Sequence, residues 1–377
     1  MRGEQQPLTV HEVSPVCDIV IPIWNQPELT ARCLESLERC AESPARLILV
    51  DNASETPTRE LLERARDRRP DSVRILRNAT NLGFIKAVNQ GIRVAVAPWV
   101  CILNNDTVVN PGWLSEMLKV AQADPAIGLV NPTSNSLGFQ PPKSKTLEEY
   151  AASLRPQSGA STELATALGF CLLARRDLFE NIGLLDESYG MGNFDDDDLS
   201  RRVRQAGYRC ARACASYVHH EEKASFRRLP GWEKAFEENR RRFQQRWGRP
   251  LRILWAEGAG TVRGLLNTSG VGAASELVRQ GHWISFIVPG GSLPDDILSL
   301  AQVHQLPVPA SGWRMRATLR LLAKRKKPFD VVISYDRPWS RWVRRLQPLH
   351  RAVALDSPTQ QEILEQCQAL SRSPSSS

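Results

Sequence analysis

Two kinds of hydrophobic pattern alternate through the first hundred residues. The stretch CDIVIPI at 17–23 is a continuous β-rich run, the pattern of a strand covered on both faces. Residues 27–40 follow with Leu29, Cys33, Leu34 and Leu37 at helical spacing. A second strand at 46–50 ends at Asp51. A helix at 57–68 opens on Pro57, which suits a first helical turn. A strand at 72–76, a helix at 84–95 and a strand at 99–103 continue the series. This alternation predicts an α/β fold with a mostly parallel sheet flanked by helices. Ligands of such sheets bind beyond the carboxyl ends of the strands. That rule selects residues 24–25, 51–54 and 104–107.

Beyond residue 110 the pattern predicts a helix at 113–123, a strand at 127–132 and a Ser-, Pro- and Asn-rich loop at 132–142. A strand running into a helix at 168–179 follows. Another helix starts at Asp198 and stops at Gly207, and a charged helix at 232–247 is closed by Gly248 and Pro250. A new α/β pattern begins at 251, with strands at 251–258, 283–288 and 329–335 and a glycine-opened helix at 270–282. The expected organisation is a flexible leader (1–14), a large α/β domain (15–250), a smaller Rossmann-like domain (251–360) and a disordered tail (361–377) that ends SRSPSSS.

Composition changes this picture little. The 377 residues are 42% hydrophobic and 24% charged, as in ordinary globular chains. No apolar run reaches the roughly 20 residues of a membrane span, and the amino terminus has no signal-peptide core. A cytoplasmic location is therefore expected. The eight cysteines fit a reducing compartment. Cys210 and Cys214 lack the second pair that a zinc site needs. The net charge of +8 points to nucleic acid, an anionic membrane surface or a phosphorylated substrate. No zinc finger, ribonucleoprotein motif or KH loop is present, so no nucleic-acid partner is expected.

Candidate chemistry falls at the expected sheet edge. Asp106, after Asn104 and Asn105, is placed to bind Mg²⁺ or Mn²⁺ together with a diphosphate, or to close an Asx turn. Asp51 is placed to hold a nucleoside or to cap its own turn. Asn81 and Gly83 open a helix whose N–H groups, with Lys86, suit phosphate, although a bare glycine turn explains them equally. His219 and His220 end a strand-like segment, where a ring nitrogen can ligate a metal. The run Asp195–Asp198 reads as an exposed acidic turn or as a crowded set with one raised pKa, which suits a general base.

In order along the chain stand VIPIWN (20–25), LVDNAS (49–54), NLGFIKAVNQGI (81–92), ILNNDTVVNPGWL (102–114), LGFCLLARRDLFENIGLLDESYG (168–190), FDDDDLSRRVRQAGY (194–208) and VHHEEKASF (218–226). Together they resemble glycosyltransferase family 2, inverting enzymes of the GT-A fold, and its rhamnosyl- and galactofuranosyltransferase-like members. The resemblance implies transfer of a sugar from a UDP- or dTDP-sugar to a hydroxyl of a glycan or lipid-linked acceptor, in surface polysaccharide biosynthesis. The alternative is a catalytically inactive protein of the same fold that binds sugar nucleotides or glycans. The resemblance implies roles by position. Pro22, Ile23, Trp24, Asp51, Asn81, Gly83, Lys86, Asn104 and Asn105 would bind the nucleotide sugar. Asp106 and His220, counted back from Ser225, would bind the divalent metal. Asp196 would be the base with Asp195 beside it, and Gly169 and Asp198 would lie on the acceptor side. Asp197 has no role in this scheme and is expected to tolerate replacement best. Residues 252–291 resemble the amino-terminal half of a GT-B glycosyltransferase, which implies a truncated tandem glycosyltransferase or an acceptor or docking module. Peripheral contact with an anionic membrane fits the basic helices and a lipid-linked acceptor.

Overall fold

The computed structural model describes residues 15–40, 44–221, 231–256, 268–298, 300, 302–323, 328–346, 349–350 and 352–373. The expected leader and Ser225 fall outside these.

The first unit opens as the pattern predicts. β1 (Cys17–Ile23), β2 (Ala45–Asp51), β3 (Val73–Arg77) and β4 (Trp99–Leu103) alternate with α1 (Pro27–Arg39), α2 (Thr56–Arg68) and α3 (Phe84–Val94). The four strands run parallel in the order β3-β2-β1-β4. β1 is buried along its whole length because both faces are covered. Its side chains alternate between two cores. Ile19, Ile21 and Ile23 join Cys33, Leu34 and Leu37 of α1, while Val20 joins Ile85, Val88 and Ile92 of α3.

The rest of this unit departs from simple alternation. β5 (Thr107–Val109), α4 (Trp113–Ala123), β6 (Ile127–Thr133), α5 (Leu147–Leu154), β7 (Ser161–Leu164), β8 (Cys171–Arg175), α6 (Arg176–Ile182), α7 (Asp195–Gln205), β9 (Arg209–His220) and α8 (Trp232–Trp247) complete it. The nine-stranded sheet continues β4-β8-β6-β9-β5, with β7 on β9. β8 is antiparallel to both neighbours, and β5 and β7 are antiparallel to β9. The α/β class holds, with half of the sheet mixed. β5, α5, β7 and most of β9 had no strong periodic signal. β9 is the clearest case: in RCARACASYVHH arginine and serine break the apolar run.

The second unit is a five-stranded parallel sheet, order β12-β11-β10-β13-β14. Its elements are β10 (Arg252–Ala256), α9 (Thr268–Arg279), β11 (Trp283–Ile287), α10 (Asp295–Leu298), β12 (Val303–Leu306), α11 (Trp313–Ala323), β13 (Val331–Ser334), α12 (Arg337–Arg345), β14 (Val353–Asp356) and α13 (Gln360–Arg372). α9 and α13 cover one face; α11 and α12 cover the other. The expectation of disorder from 361 fails for α13. Thr359 and Glu362 form a capping box, and Ile363 and Cys367 are buried in the core. All eight cysteines are buried and none forms a disulfide.

Candidate active site

A cleft of about 790 Å³ opens at the carboxyl edge of the large sheet. The ends of β1 and β4, the turn before α3, the start of α7 and the end of β9 converge on it.

The wall beside the ends of β1 and β2 is built from asparagines. β1 ends in Pro22, Ile23 and Trp24, all on the cleft. Asn25 and Gln26 then take positive φ, turning the chain sharply into α1. Asn25 N–H donates to Ser54 Oγ at 2.9 Å and Asn25 Oδ1 accepts from Glu55 N–H at 2.8 Å, so the loops after β1 and β2 brace each other. Asn52 is buried, donates to Asn81 Oδ1 at 2.6 Å, and accepts from Leu82 N–H at 2.9 Å and Asn78 Nδ2 at 3.1 Å. Asn81 Oδ1 also accepts from Gly83 N–H at 2.9 Å. Gly83 has φ +85°, and a Cβ there would stand 2.9 Å from Met191 Sδ. The left-handed backbone angle favours glycine here, and a side chain would also have to displace Met191.

Three expected residues take other places. Asp51 is buried and its Oδ1 accepts from Ser54 N–H at 2.9 Å. It caps its own turn and stands behind the cleft lining. Lys86 is exposed on α3 and lies off the cleft. Asp198 is treated with its helix below.

Asp106 and His220 meet where β5 pairs with β9. Asp106 Oδ1 lies 3.1 Å from His220 Nε2. Ser136 Oγ is 2.9 Å from His220 Nδ1, and Asn135 holds the His220 backbone by two bonds of 2.7 and 2.8 Å. Phe170 stacks on the imidazole with centroids 5.1 Å apart. This support fixes the ring and directs Nε2 at Asp106. Asn104 Nδ2 is 3.4 Å from the same Nε2, while Asn104 Oδ1 is buried with no hydrogen-bond partner among the described residues. A buried carbonyl oxygen left unpaired beside a carboxylate and an imidazole fits a hard divalent cation. Among the described residues no group of three or more His, Cys, Asp or Glu side chains forms a metal cage. The residues present would hold a metal by two or three ligands and leave positions for oxygens of a substrate. Asn105 Nδ2 instead donates to Thr30 Oγ1 at 2.9 Å.

The four aspartates open α7 rather than precede it. The helix starts at Asp195 because Asn193 and Phe194 take positive φ and reverse the chain. Asn239 of α8 fixes this loop, donating to the Tyr189 and Gly192 carbonyls at 2.8 and 3.0 Å. Helical spacing then sends the carboxylates in different directions. Asp196 accepts from Gly169 N–H at 3.2 Å and Asp197 N–H at 2.9 Å. Burial, then Asp197 and Asp195, push its carboxyl well above the ordinary range. Burial pushes Asp195 up to about 6, assisted by Asp197 and Asp198. Asp197 accepts from Thr166 Oγ1 at 2.9 Å and is raised by burial. Asp195, Asp196 and Asp197 all line the cleft; Asp198 does not. Asp198 is fully buried, accepts from Arg202 Nε and Trp247 Nε1 at 2.8 Å each, and pairs with Arg246 at 3.0 Å. The structural aspartate is thus Asp198. Asp197, which had no role in the family register, stands in the cleft.

Gly169 lines the same wall. Aromatic residues that the sequence did not single out close the cleft. Phe194, Phe236 and Trp232 form a row with centroid separations of 5.1 and 5.2 Å. The detectable signal for this wall was the glycine-rich YGMGNF turn at 189–194.

Residues 18–183 match the profile of glycosyl transferase family 2. The chain is 30% identical over 237 residues to an uncharacterized protein of Sinorhizobium fredii, covering 57% of this chain and 25% of that one. It thus spans about a quarter of that relative's length. It is 28% identical over 253 residues to an N-acetylglucosaminyl-diphospho-decaprenol L-rhamnosyltransferase of Mycobacterium tuberculosis, covering 58% of this chain and 80% of that one. Among solved structures it is similar to a mannosyltransferase from Pyrobaculum calidifontis in complex with GDP-Man and Mn2+. That likeness has a TM-score of 0.46 and 21% identity, covering 60% of this chain and 64% of that one.

Proposed function

We propose that this chain is a metal-dependent, inverting glycosyltransferase of the GT-A type. It moves a sugar from a UDP- or dTDP-sugar to a hydroxyl of a glycan or lipid-linked acceptor in surface polysaccharide biosynthesis. The observation that carries the reading is the shared cleft: the Asp106–His220 pair, which would hold a cation, stands in the same opening as a buried carboxyl with a raised pKa at Asp196. The family 2 domain supports it, and the mycobacterial relative's name, which specifies a lipid-linked acceptor, supports the acceptor class.

Pro22, Trp24 and the Asn52–Asn81 network form the wall for the nucleoside. Asp106 and His220, with Asn104 Oδ1, would hold Mg²⁺ or Mn²⁺, which supplies Lewis-acid stabilisation of a departing diphosphate. Asp196 takes the proton of the acceptor hydroxyl as that oxygen bonds to the anomeric carbon. The bond from that carbon to the diphosphate oxygen breaks in the same displacement, which inverts the centre. Burial, then the charges of Asp197 and Asp195, raise the basicity of Asp196 by disfavouring loss of its proton. The aromatic row of Phe194, Phe236 and Trp232 offers a stacking face for the acceptor.

Peripheral contact with an anionic membrane is part of this reading. Among the described residues no helix is long and apolar enough to cross a bilayer. Met315, Leu319, Trp342 and Leu349 are exposed near exposed arginines of α11 and α12, a composition that suits a charged lipid surface. Sedimentation with phosphatidylglycerol vesicles but not phosphatidylcholine vesicles checks it; equal recovery with both excludes it.

The test of the activity is a sugar-nucleotide panel with Mn²⁺ or Mg²⁺, scored by release of nucleoside diphosphate. One donor class giving metal-dependent release supports the reading. Binding without release by any donor, with acceptor glycans supplied, leaves a binding protein and overturns it.

A further inference from the structure

The helix that carries the aspartates is also gripped from the second sheet unit. Asp197, Arg201 and Arg204 lie along one stripe of α7, four and then three residues apart. Arg201 Nη2 donates to the Gln280 carbonyl, and Arg204 donates through Nη1 to the Arg279 carbonyl and through Nη2 to the Leu164 carbonyl. Arg279 ends α9 and Gln280 follows it. The last carbonyls of a helix lack intrahelical donors and carry the negative end of its dipole, so they favour guanidinium groups. Arg279 returns a fork to Glu163 of β7, with bonds of 2.7 and 3.3 Å.

The chain turns away from this junction at Gly281. Its φ is +76°, and a Cβ would stand 2.9 Å from Arg201 Nη2. His282 next to it is buried, and its Nδ1 accepts from Leu251 N–H at 3.1 Å. Burial, with Arg201 and Arg249 nearby, pushes His282 down to about 3, so no further cation enters an arginine-rich junction.

The other stripes of α7 are held within the first unit. Asp198 takes Trp247 and Arg246 of α8, and Arg202 donates to the carbonyls of Ile182, Gly183 and Leu184 at 2.8, 3.1 and 2.8 Å. Ser200 Oγ accepts from Ala167 N–H at 3.0 Å. The Asp197–Arg201–Arg204 stripe has its far end on α9 and its near end in the cleft, where Asp197 N–H bonds Asp196 Oδ1.

We propose that the second sheet unit is a positioning clamp for the catalytic helix. The α9 terminus holds Arg201 and Arg204 and thereby sets the placement of Asp196 against the acceptor hydroxyl. The inference rests on Asp196 as the base. Arg201 and Arg204 are positioning residues and touch no reacting atom.

The test uses the full chain with Gly281→Ala, Arg204→Met and Arg204→Lys. A displacement near 1 Å at a reacting group costs about 100-fold in rate. Gly281→Ala and Arg204→Met are expected to lower kcat about 10- to 100-fold while KM for the donor stays within about twofold. Arg204→Lys keeps the charge and a donor and should recover most of the loss. Hydrogen exchange at the first turn of α7 should quicken in Gly281→Ala, a readout that needs no activity. Unchanged kcat and unchanged exchange in folded Gly281→Ala and Arg204→Met overturn the clamp, as does a loss explained wholly by the unfolded fraction. Asp196→Asn is run beside them. If it keeps full turnover, the base assignment fails. If it loses turnover while the clamp variants do not, only the clamp fails.

Discussion

The two edges of the large sheet treat buried carboxylates in opposite ways. At the amino edge Asp18 is fully buried and accepts four bonds. Two come from Arg46 at 2.9 Å each, one from Val96 N–H at 2.6 Å and one from Ala97 N–H at 2.9 Å. At the carboxyl edge Asp195, Asp196 and Asp197 crowd one helical turn with raised pKa values. Among the described residues Asp196 has two backbone donors and no guanidinium partner, and Asn104 Oδ1 nearby has no partner at all. Burial alone therefore does not distinguish a functional acid. What distinguishes it is charge and hydrogen-bonding capacity left over for a ligand.

The sharpest way to break this comparison is to neutralise one carboxylate at each edge. Asp196→Asn is expected to lower transfer about 10³- to 10⁴-fold, measured as nucleoside diphosphate release, with donor binding retained. Asp18→Ala leaves Arg46 and two backbone donors unpaired and should cost about 3–5 kcal/mol in urea unfolding. Its activity per folded molecule should be unchanged.

The pH dependence of stability tests the raised carboxyl of Asp195, which burial causes first and the neighbouring carboxylates assist. Asp195 titrates at about 6 in the folded chain against an ordinary 3.8. The folded state holds the proton more tightly, so this contribution is complete below pH 3.8 and is lost as pH rises through about 6. The difference is on the order of 3 kcal/mol. Asp195→Asn should flatten urea stability between these limits; an unaltered slope would show that Asp195 is not a raised carboxyl.

The smallest effect is expected in the second unit. Asp336 caps α12 through Trp339 N–H at 2.8 Å and pairs with Arg314, also at 2.8 Å. Asp336→Ala should cost about 1 kcal/mol in the same unfolding assay and leave transfer unaffected.

Much of the cleft at the ends of β1 and β4 was legible in sequence because it sits where buried strands end. The apolar runs of β1 and β4 located Pro22, Ile23, Trp24 and Asn104 to Asp106 at one edge, and the structure brings them into one cleft. Asp51 and Lys86 show the limit of that rule: a residue at the right edge can still face its own turn or solvent. The acidic run was harder. Its division of labour depends on where α7 begins, and two residues of positive φ, Asn193 and Phe194, set that start three residues before Asp198. Phe194 in this conformation is unfavourable on local grounds, so no propensity signals it. Ser136, Phe170 and Asn239 were not legible because they act through distant partners, His220 and the 189–192 loop.

The most direct test of the central claim is thermal unfolding with UDP or dTDP, each with and without Mn²⁺ or Mg²⁺. At about 100 times Kd a ligand adds on the order of 3 kcal/mol to the folded state, a shift of several degrees. The predicted result is a rise only when metal and nucleotide are present together. It should be kept in Asp196→Asn and lost in Asp106→Asn and His220→Ala. An equal rise without metal, or one undiminished in the Asp106 and His220 variants, would contradict the account.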